Sequence, residues 1–145
     1  MGPDVRQTCV GETEKSQPRC VLVPLTGMRQ VNAEVPMQIS DIPFVITDWS
    51  KLAPTQHPGT QGMAYWRTCQ FGAIRVRMVE YSAGYIADHW CSKGHILLCI
   101  RGELTTELQD GRRYVLTPGM SYQVADHDAP HRSSSAAGAT LFIVD

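Results

Sequence analysis

From about residue 37 onwards, short β-rich runs are separated by turn-forming residues. Over residues 73–81 apolar side chains recur at every second position from Ile74, and Arg75 and Arg77 occupy two of the positions between them, which is the period of a strand with two different faces. Further β-rich runs cover residues 43–49, 63–68, 95–100, 103–109, 112–116, 121–124 and 140–144. No amphipathic helix of ten or more residues is evident. Many short strands with evenly spaced turns predict an all-β barrel or sandwich.

Three local patterns refine this prediction. The run HILLCI, residues 95–100, is continuously apolar and predicts a strand buried on both faces. Asp110 and Gly111 separate two strand-like runs, and Asp-Gly is a strong hairpin turn. Residues 53–62, APTQHPGTQG, predict a loop by composition.

The N-terminal region differs from the rest of the chain. Residues 1–35 are polar and aperiodic, and only residues 20–25, CVLVPL, resemble a short edge strand. We therefore expect an N-terminal arm over residues 1–35 and one barrel domain over residues 36–145. Such an arm is expected to pair with the barrel edge or with a second subunit, so the predicted assembly is a homodimer.

Composition excludes several classes of protein. The 145 residues are 43% hydrophobic and 19% charged, with a net charge of −1, which suits one globular domain and offers no basic footprint for nucleic acid. No apolar run of membrane-spanning length is present, and the N-terminal residues lack the apolar stretch of a secretory signal. Five cysteines, an odd number, favour reduced thiols over a disulfide framework, so we expect a cytoplasmic protein.

The residues with metal-binding chemistry lie close together in the chain. His89 and Cys91 are two residues apart, so on an extended strand they would point to the same face. His95 follows four residues later, and Gly94 allows a tight bend that returns it to the same pocket. One thiol and two imidazoles within seven residues predict a transition-metal site.

The same residues match a known spacing. The first motif of the cupin superfamily is G-x5-H-x-H-x(3-4)-E-x6-G, and here Gly84, His89, Cys91, His95 and Gly102 follow that order. The first gap is four residues and not five, Cys91 replaces the second histidine, and His95 replaces the glutamate. The chain thus resembles the cupins, whose fold is a double-stranded β-helix, or jelly-roll barrel.

The tetrapeptide DHWC at residues 88–91, with KGH at residues 93–95, resembles the small family called DHCW-motif cupins, and the likeness extends over roughly residues 45–145. The resemblance places a further ligand at His131, with His127 as the less favoured candidate. It implies one divalent ion, of Zn, Fe, Ni, Cu or Mn, held by His89, Cys91, His95 and His131. Cys91 is either a ligand or a thiol beside the ion.

The resemblance implies a function only in outline. The first hypothesis is an enzyme that uses the metal to act on a small molecule, as a dioxygenase, isomerase, cyclase or lyase. The alternatives are a non-catalytic metal or ligand sensor, and a structural partner-binding protein without a cavity. Arg75 and Arg77 form either an anion pocket for the substrate or a solvated outer face. Tyr81 and His57 are further candidates for substrate binding.

Overall fold

The fold of the chain is all-β. A computed structural model describes residues 39–145, and within this range all strand pairs are antiparallel and the helical structure is a single 3-10 turn, Trp49–Lys51. The strands are β1 (Thr55–Pro58), β2 (Met63–Phe71), β3 (Ile74–Tyr81), β4 (Tyr85–Ile86), β5 (His95–Gly102), β6 (Leu104–Leu108), β7 (Arg113–Leu116), β8 (Ser121–Val124), β9 (His131–Ser135) and β10 (Ala139–Val144). The predicted fold class is confirmed.

The strands form two sheets that enclose the core. The larger sheet has the order β1-β2-β3-β10-β5-β8, and the smaller has the order β4-β9-β6-β7. Val79, Leu97 and Leu141 of the larger sheet are buried together with Leu104 and Leu116 of the smaller one. Because side chains alternate along a strand, each of these residues belongs to the row of its strand that points into the space between the sheets.

Most predicted strands are present. The alternating run at residues 73–81 forms β3, and the Asp110-Gly111 turn joins β6 to β7 as a hairpin, with the amide of Leu108 donating to the carbonyl of Arg112. The strand predicted at residues 63–68 continues to Phe71 because β2 pairs with β3 from Ala64 to Phe71.

Two local predictions are wrong, and one strand was not predicted. Residues 43–48 form no strand and pair with no described strand, and Phe44 and Ile46 are 97% and 83% exposed. The predicted loop at residues 53–62 contains β1, whose register on β2 sets Thr55 opposite Trp66. The polar sequence at residues 131–135 forms β9, because β6 supplies its backbone partners despite its weak strand propensity.

The prediction that β5 is buried on both faces is also wrong. Leu97 and Cys99 are fully buried, but Ile96, Leu98 and Ile100 are 49%, 37% and 43% exposed. Antiparallel sheets can have one face on the core and the other face outward, and this row stays partly exposed among the described residues. The apolar run therefore supplies one core row and one outer row.

The predicted N-terminal arm, with its strand at residues 20–25, lies outside the described residues, so the proposed division at residue 36 stays a prediction. Among the described residues, no helix has the length and apolar character needed to cross a membrane.

Candidate metal centre

A pair of backbone hydrogen bonds brings Cys91 and His131 together. The amide of Cys91 donates to the carbonyl of His131 at 2.8 Å, and the amide of His131 donates to the carbonyl of Cys91 at 3.0 Å. Residues directly opposite each other on antiparallel chains project their side chains to the same face. The thiol and the imidazole thus share a face although 40 residues separate them in the chain.

Gly94 fixes where the chain enters β5 and therefore where His95 lies. The amide of Gly94 donates to a carboxylate oxygen of Asp126 at 2.7 Å. A Cβ at this position would lie 2.6 Å from the amide nitrogen of Asp126 and 2.9 Å from the carbonyl carbon of Ala125. Glycine is needed here for this close backbone approach, which places His95 at the end of β5 nearest to Cys91.

Cys91, His95 and His131 form a compact group. Their candidate ligand atoms all lie within 4.8 Å of one another, and the two histidine Nε2 atoms are 3.1 Å apart. Two nitrogens bound to one ion at about 2.0–2.1 Å are separated by about this distance. His131 is buried, whereas Cys91 and His95 are half-buried.

Hydrogen bonds orient the two imidazoles. Nδ1–H of His131 donates to the carbonyl oxygen of Ala129 at 2.8 Å, which leaves Nε2 to face the group. Nε2 of His95 lies 2.8 Å from the hydroxyl of Tyr122, and Nδ1 of His95 is buried with no hydrogen-bond partner among the described residues. Tyr122 projects inward from β8, opposite Leu97 of β5.

The group also has a distinctive charge state. Hydrogen bonding to His131, and secondly to His95, lowers the pKa of the Cys91 thiol to about 5, against the opposing effect of burial. The same interaction with Cys91 raises the pKa of His131. Burial raises the pKa of Tyr122, so its phenol keeps its proton at neutral pH. The result is a thiolate whose charge favours the protonated form of His131, with a neutral phenol next to His95.

His89 lies apart from this group. The chain bends at Asp88 and His89, so the extended geometry that would align His89 with Cys91 is absent, and the imidazole is 69% exposed. Its Nδ1 is 2.6 Å from a carboxylate oxygen of Asp88, while the side chain still lines the cavity described below. Hydrogen bonding to His89 lowers the pKa of Asp88, so this carboxylate accepts a bond from Nδ1–H and leaves the lone pair on Nε2.

His127, the competing candidate in the second motif, is not part of the group. It is exposed, its backbone adopts a left-handed conformation with φ of 61°, and its amide donates to the carbonyl of Ser92. His131, four residues later, occupies the position at the group.

A cavity of about 170 Å³ opens beside the group, between the two sheets. Arg75 and Arg77 line it from β3, and both bind Asp145: the Arg75 Nη2 and Arg77 Nη2 atoms each lie 2.6 Å from one carboxylate oxygen. The arginines therefore face the interior and not a solvated outer surface, and the side chain of Arg77 is only 8% exposed. Burial alone would raise the pKa of Asp145, but the hydrogen bonds from Arg75 and the two positive charges lower it.

The two other predicted substrate-binding residues have different positions. Tyr81 lines the cavity and stacks on Tyr85 with ring centroids 4.1 Å apart. His57 does not line the cavity: its ring stacks on Trp66 at 3.8 Å, and Nε2 lies 2.9 Å from the Thr55 hydroxyl.

Sequence reasoning did not identify Trp66 or Asp145 as site residues, and it favoured a packing role for Tyr122 over a phenolic acid or hydrogen-bond donor. Alternation along the run SYQV, residues 121–124, could have placed Tyr122 on the same face as Val124, and that face is the inward one. No local signal marks Trp66 or Asp145, because their role depends on the pairing of β2 with β3 and of β10 with β3.

The residues present fit a transition metal. One thiolate and two imidazoles are borderline-soft donors that suit Zn, Cu, Fe and Ni better than Mg or Ca. Nδ1 of His95 is buried and has no hydrogen-bond partner among the described residues. A buried polar atom without a partner lowers the stability of the fold by about 1–3 kcal/mol. An ion bound at Nε2 would not satisfy Nδ1, so the fit rests on the donor types and on the 3.1 Å separation of the two Nε2 atoms.

Comparison with solved structures identifies the architecture. A predicted oxalate decarboxylase from Thermotoga maritima aligns with a TM-score of 0.61 and 10% identity over 69% of this chain and 96% of that chain. An RmlC-like cupin from Shewanella frigidimarina has a TM-score of 0.55 and 17% identity, covering 70% of this chain and 89% of its own. Ectoine synthase from P. lautus has a TM-score of 0.57 and 18% identity, with 70% and 76% covered. At such identities the likeness concerns the fold alone.

No protein-family model matches the chain, and a search of curated proteins returns no match, so the resemblance to the DHCW-motif family stays a prediction. The two antiparallel sheets, the inward-facing donor group and the structural likenesses agree with the motif between Gly84 and Gly102. The chain therefore has the double-stranded β-helix fold of the cupin superfamily.

Proposed function

We propose that the protein is a metal-dependent enzyme that acts on a small molecule at a mononuclear centre held by Cys91, His95 and His131. The observation that carries the proposal is the convergence of these three donors, within 4.8 Å of one another, on the wall of an interior cavity. His89 is the proposed fourth ligand. Its lone pair on Nε2 and its place in the cavity wall support this role.

The number of ligands favours catalysis over a purely structural site. Structural zinc sites close with four protein ligands, whereas catalytic sites keep three and leave a position for water or substrate. Three donors are grouped here and His89 is 69% exposed, so the cavity side of the ion would stay open. A divalent ion in this position supplies Lewis-acid chemistry that polarises a substrate oxygen.

The chain's own residues have separable roles in this proposal. The carbonyl of Ala129 holds the His131 ring in one tautomer and orientation. The Tyr122 hydroxyl, protonated at neutral pH and next to His95, is placed to hold a proton at Oη. Arg75 and Arg77 supply positive charge to the cavity, and Tyr81 contributes an aromatic side chain to its wall.

Dioxygenase, isomerase, cyclase and lyase chemistry are all compatible with this arrangement. Ectoine synthase, a sugar phosphate isomerase and iron(II) HppE are among the proteins of similar fold, so the fold by itself favours none of the four. The alternative function is a non-catalytic metal or small-ligand sensor. A closed tetrahedral site with four protein ligands would favour that alternative, whereas the same four ligands on an octahedral ion would leave two positions free for substrate.

Metal binding is the first test. Protein purified without added metal is expected to bind one equivalent of a divalent transition ion, measured by elemental analysis and by titration calorimetry. His95→Ala and His131→Ala should each weaken binding by at least about a hundredfold, beyond the 10–100-fold effect of outer-shell changes. His127→Ala is the matched control, because this exposed histidine lies in the loop before β9. Full metal retention in both ligand variants would contradict the proposal.

X-ray absorption of the loaded protein then separates enzyme from sensor. A coordination shell in which a light-atom water ligand accompanies the protein ligands supports an enzyme, whereas a closed four-coordinate shell of protein ligands, reduced to three by His89→Ala, supports the sensor. Oxygen consumption would reveal dioxygenation, and proton NMR of substrate mixtures would reveal isomerisation, cyclisation or elimination.

We also propose that two copies of the chain associate. The outward row of Ile96, Leu98 and Ile100 supports this, because these neighbouring apolar side chains are each more than one third exposed in the described chain. A second copy would remove them from water.

A further inference from the structure

The end of the cavity formed by β3 and β10 has an excess of positive charge. Arg75 binds both carboxylate oxygens of Asp145, through Nε at 2.9 Å and Nη2 at 2.6 Å, and Arg77 binds one of them through Nη2. Asp145 is the single acidic residue among the described residues that line the cavity. Two guanidinium groups thus share one carboxylate. Lys93 in the same lining adds a third cation against the Cys91 thiolate, so these side chains leave one positive charge in excess.

Two buried N–H donors in the same wall have no acceptor. Nε of Arg77 and Nε1 of Trp66 are both buried without a hydrogen-bond partner among the described residues. Arg77 is 7% exposed, and its guanidinium lies 4.5 Å from the centroid of the Trp66 ring. Each buried unsatisfied donor costs about 1–3 kcal/mol, so both donors favour a ligand that brings acceptor oxygens. A carboxylate has acceptor oxygens only, and it carries the missing negative charge.

The rest of the cavity sets the size and character of such a ligand. Its volume is about 170 Å³, and its walls include the stacked rings of Tyr81 and Tyr85 as well as Leu97 and Ile143. An apolar cavity of about 150 Å³ holds a molecule of the size of benzene. The space therefore suits a compact molecule with an apolar body.

We propose that the cavity binds a small monocarboxylate with an apolar body, whose carboxylate is received by Arg77 and Trp66 while its other end faces the Cys91–His95–His131 group. This deepens the proposed function by naming its substrate class, but the carboxylate site itself needs no metal. Asp145 competes with the ligand for the guanidinium groups and so sets the affinity of the site.

The test compares charged ligands with neutral isosteres. Benzoate and propionate are titrated into the full chain by calorimetry, alongside benzamide and propionamide. We expect each acid to bind at least tenfold more tightly than its amide. Arg77→Met should abolish that preference. Arg113→Met, at an exposed arginine bound to Glu107 on the outer hairpin, should keep it.

A variant that strengthens binding makes the test specific. Asp145→Asn removes the competing charge and keeps the side-chain shape, so it is expected to tighten benzoate at least tenfold and leave benzamide unchanged. A merely structural role for the ion pair would not raise affinity. If Arg77→Met fails to fold, Trp66→Phe removes one donor only and should weaken benzoate binding about tenfold, as expected for a hydrogen bond to a charged group.

Equal binding of acid and amide by the wild type, or unchanged benzoate affinity in Asp145→Asn, would overturn the carboxylate site. Metal content measured on the same samples separates this result from the proposed function. Loss of the acid preference with one metal equivalent retained rejects the substrate class alone. Acid preference without any metal binding rejects the metal-dependent enzyme and supports the carboxylate site.

Discussion

The ionisation of Cys91 gives a quantitative test of the site. Its pKa of about 5, against an ordinary value of 9.0, follows from its contacts with His131 and His95. At pH 5.5 about three quarters of a thiol with a pKa near 5 is thiolate, whereas about 0.03% of an ordinary thiol is ionised. The ratio of reactive species is therefore about 2,400.

Intrinsic nucleophilicity offsets part of this advantage. A Brønsted slope of about 0.45 over four pKa units reduces the reactivity of the Cys91 thiolate by about 60-fold. The net expectation is that metal-free Cys91 reacts with a pyridyl disulfide about 40 times faster than an ordinary thiol at pH 5.5. At pH 7 the two opposing factors almost cancel, so the rates should be within a few-fold of each other.

The assay follows modification of the Cys91 peptide by mass spectrometry after removal of metal with a chelator, with an unstructured cysteine peptide as the reference thiol. His131→Gln removes the main cause of the pKa shift and should slow the reaction at pH 5.5 by at least tenfold. Cys91→Ser should remove the fast-reacting peptide. A wild-type rate at pH 5.5 no higher than that of the reference peptide would refute the reasoning.

Adding the metal tests the role of Cys91 as a ligand. A bound cation holds the thiolate and covers it, so saturating zinc should suppress the fast reaction. Cys91→Ser should bind the metal more weakly while the barrel stays folded, because this side chain is not part of the core. Fast modification of the loaded wild type together with full metal retention in Cys91→Ser would contradict ligation.

Three further predictions concern the fold and the assembly. Gly94→Ala should cost about 1–3 kcal/mol in urea unfolding, because its Cβ would clash with the backbone of Asp126, and an unchanged midpoint would contradict this. Asp145→Asn should cost about 3 kcal/mol at pH 7, the low end for breaking a buried ion pair, since Arg75 reaches solvent. The folded-state pKa of Asp145 is lowered, so its contribution to the free energy of unfolding is present above pH 4 and is lost as the pH falls through that lowered value. The stability difference between Asp145→Asn and the wild type should therefore shrink in acid. A difference independent of pH would show that Asp145 is not the ionised partner of the arginines. Light scattering should give twice the 16.1 kDa of one chain, and Leu98→Glu should return the protein to a monomer if the outer row is buried in the dimer.

Periodicity along the chain was sufficient to predict the all-β class and most strands, because each strand has a local signature that needs no partner. The alternation through residues 73–81 set Arg75 and Arg77 on one face of a strand, and the Asp110-Gly111 pair predicted a hairpin. The motif spacing identified Cys91 and His95 as candidate ligands, because this spacing can also be read without knowing the strand partners. Donor type and spacing are properties of the sequence.

Only the tertiary structure decided which face of each strand is inward and which distant residues meet. The sequence left open whether the arginines of β3 face solvent, and the pairing of β3 with β10 turned them inward onto Asp145. The polar β9 became a strand because β6 offered it backbone partners, and its bridge to Cys91 brought His131 to the site. The bend at His89 replaced the extended geometry assumed from its spacing to Cys91, because residues 88–90 have no strand partner among the described residues. Strand propensity and residue spacing are properties of a few neighbouring residues. Which side of a strand faces the core, and which distant side chains meet, depend on which strands pair. The pairing is fixed because all the strands must bury one common core.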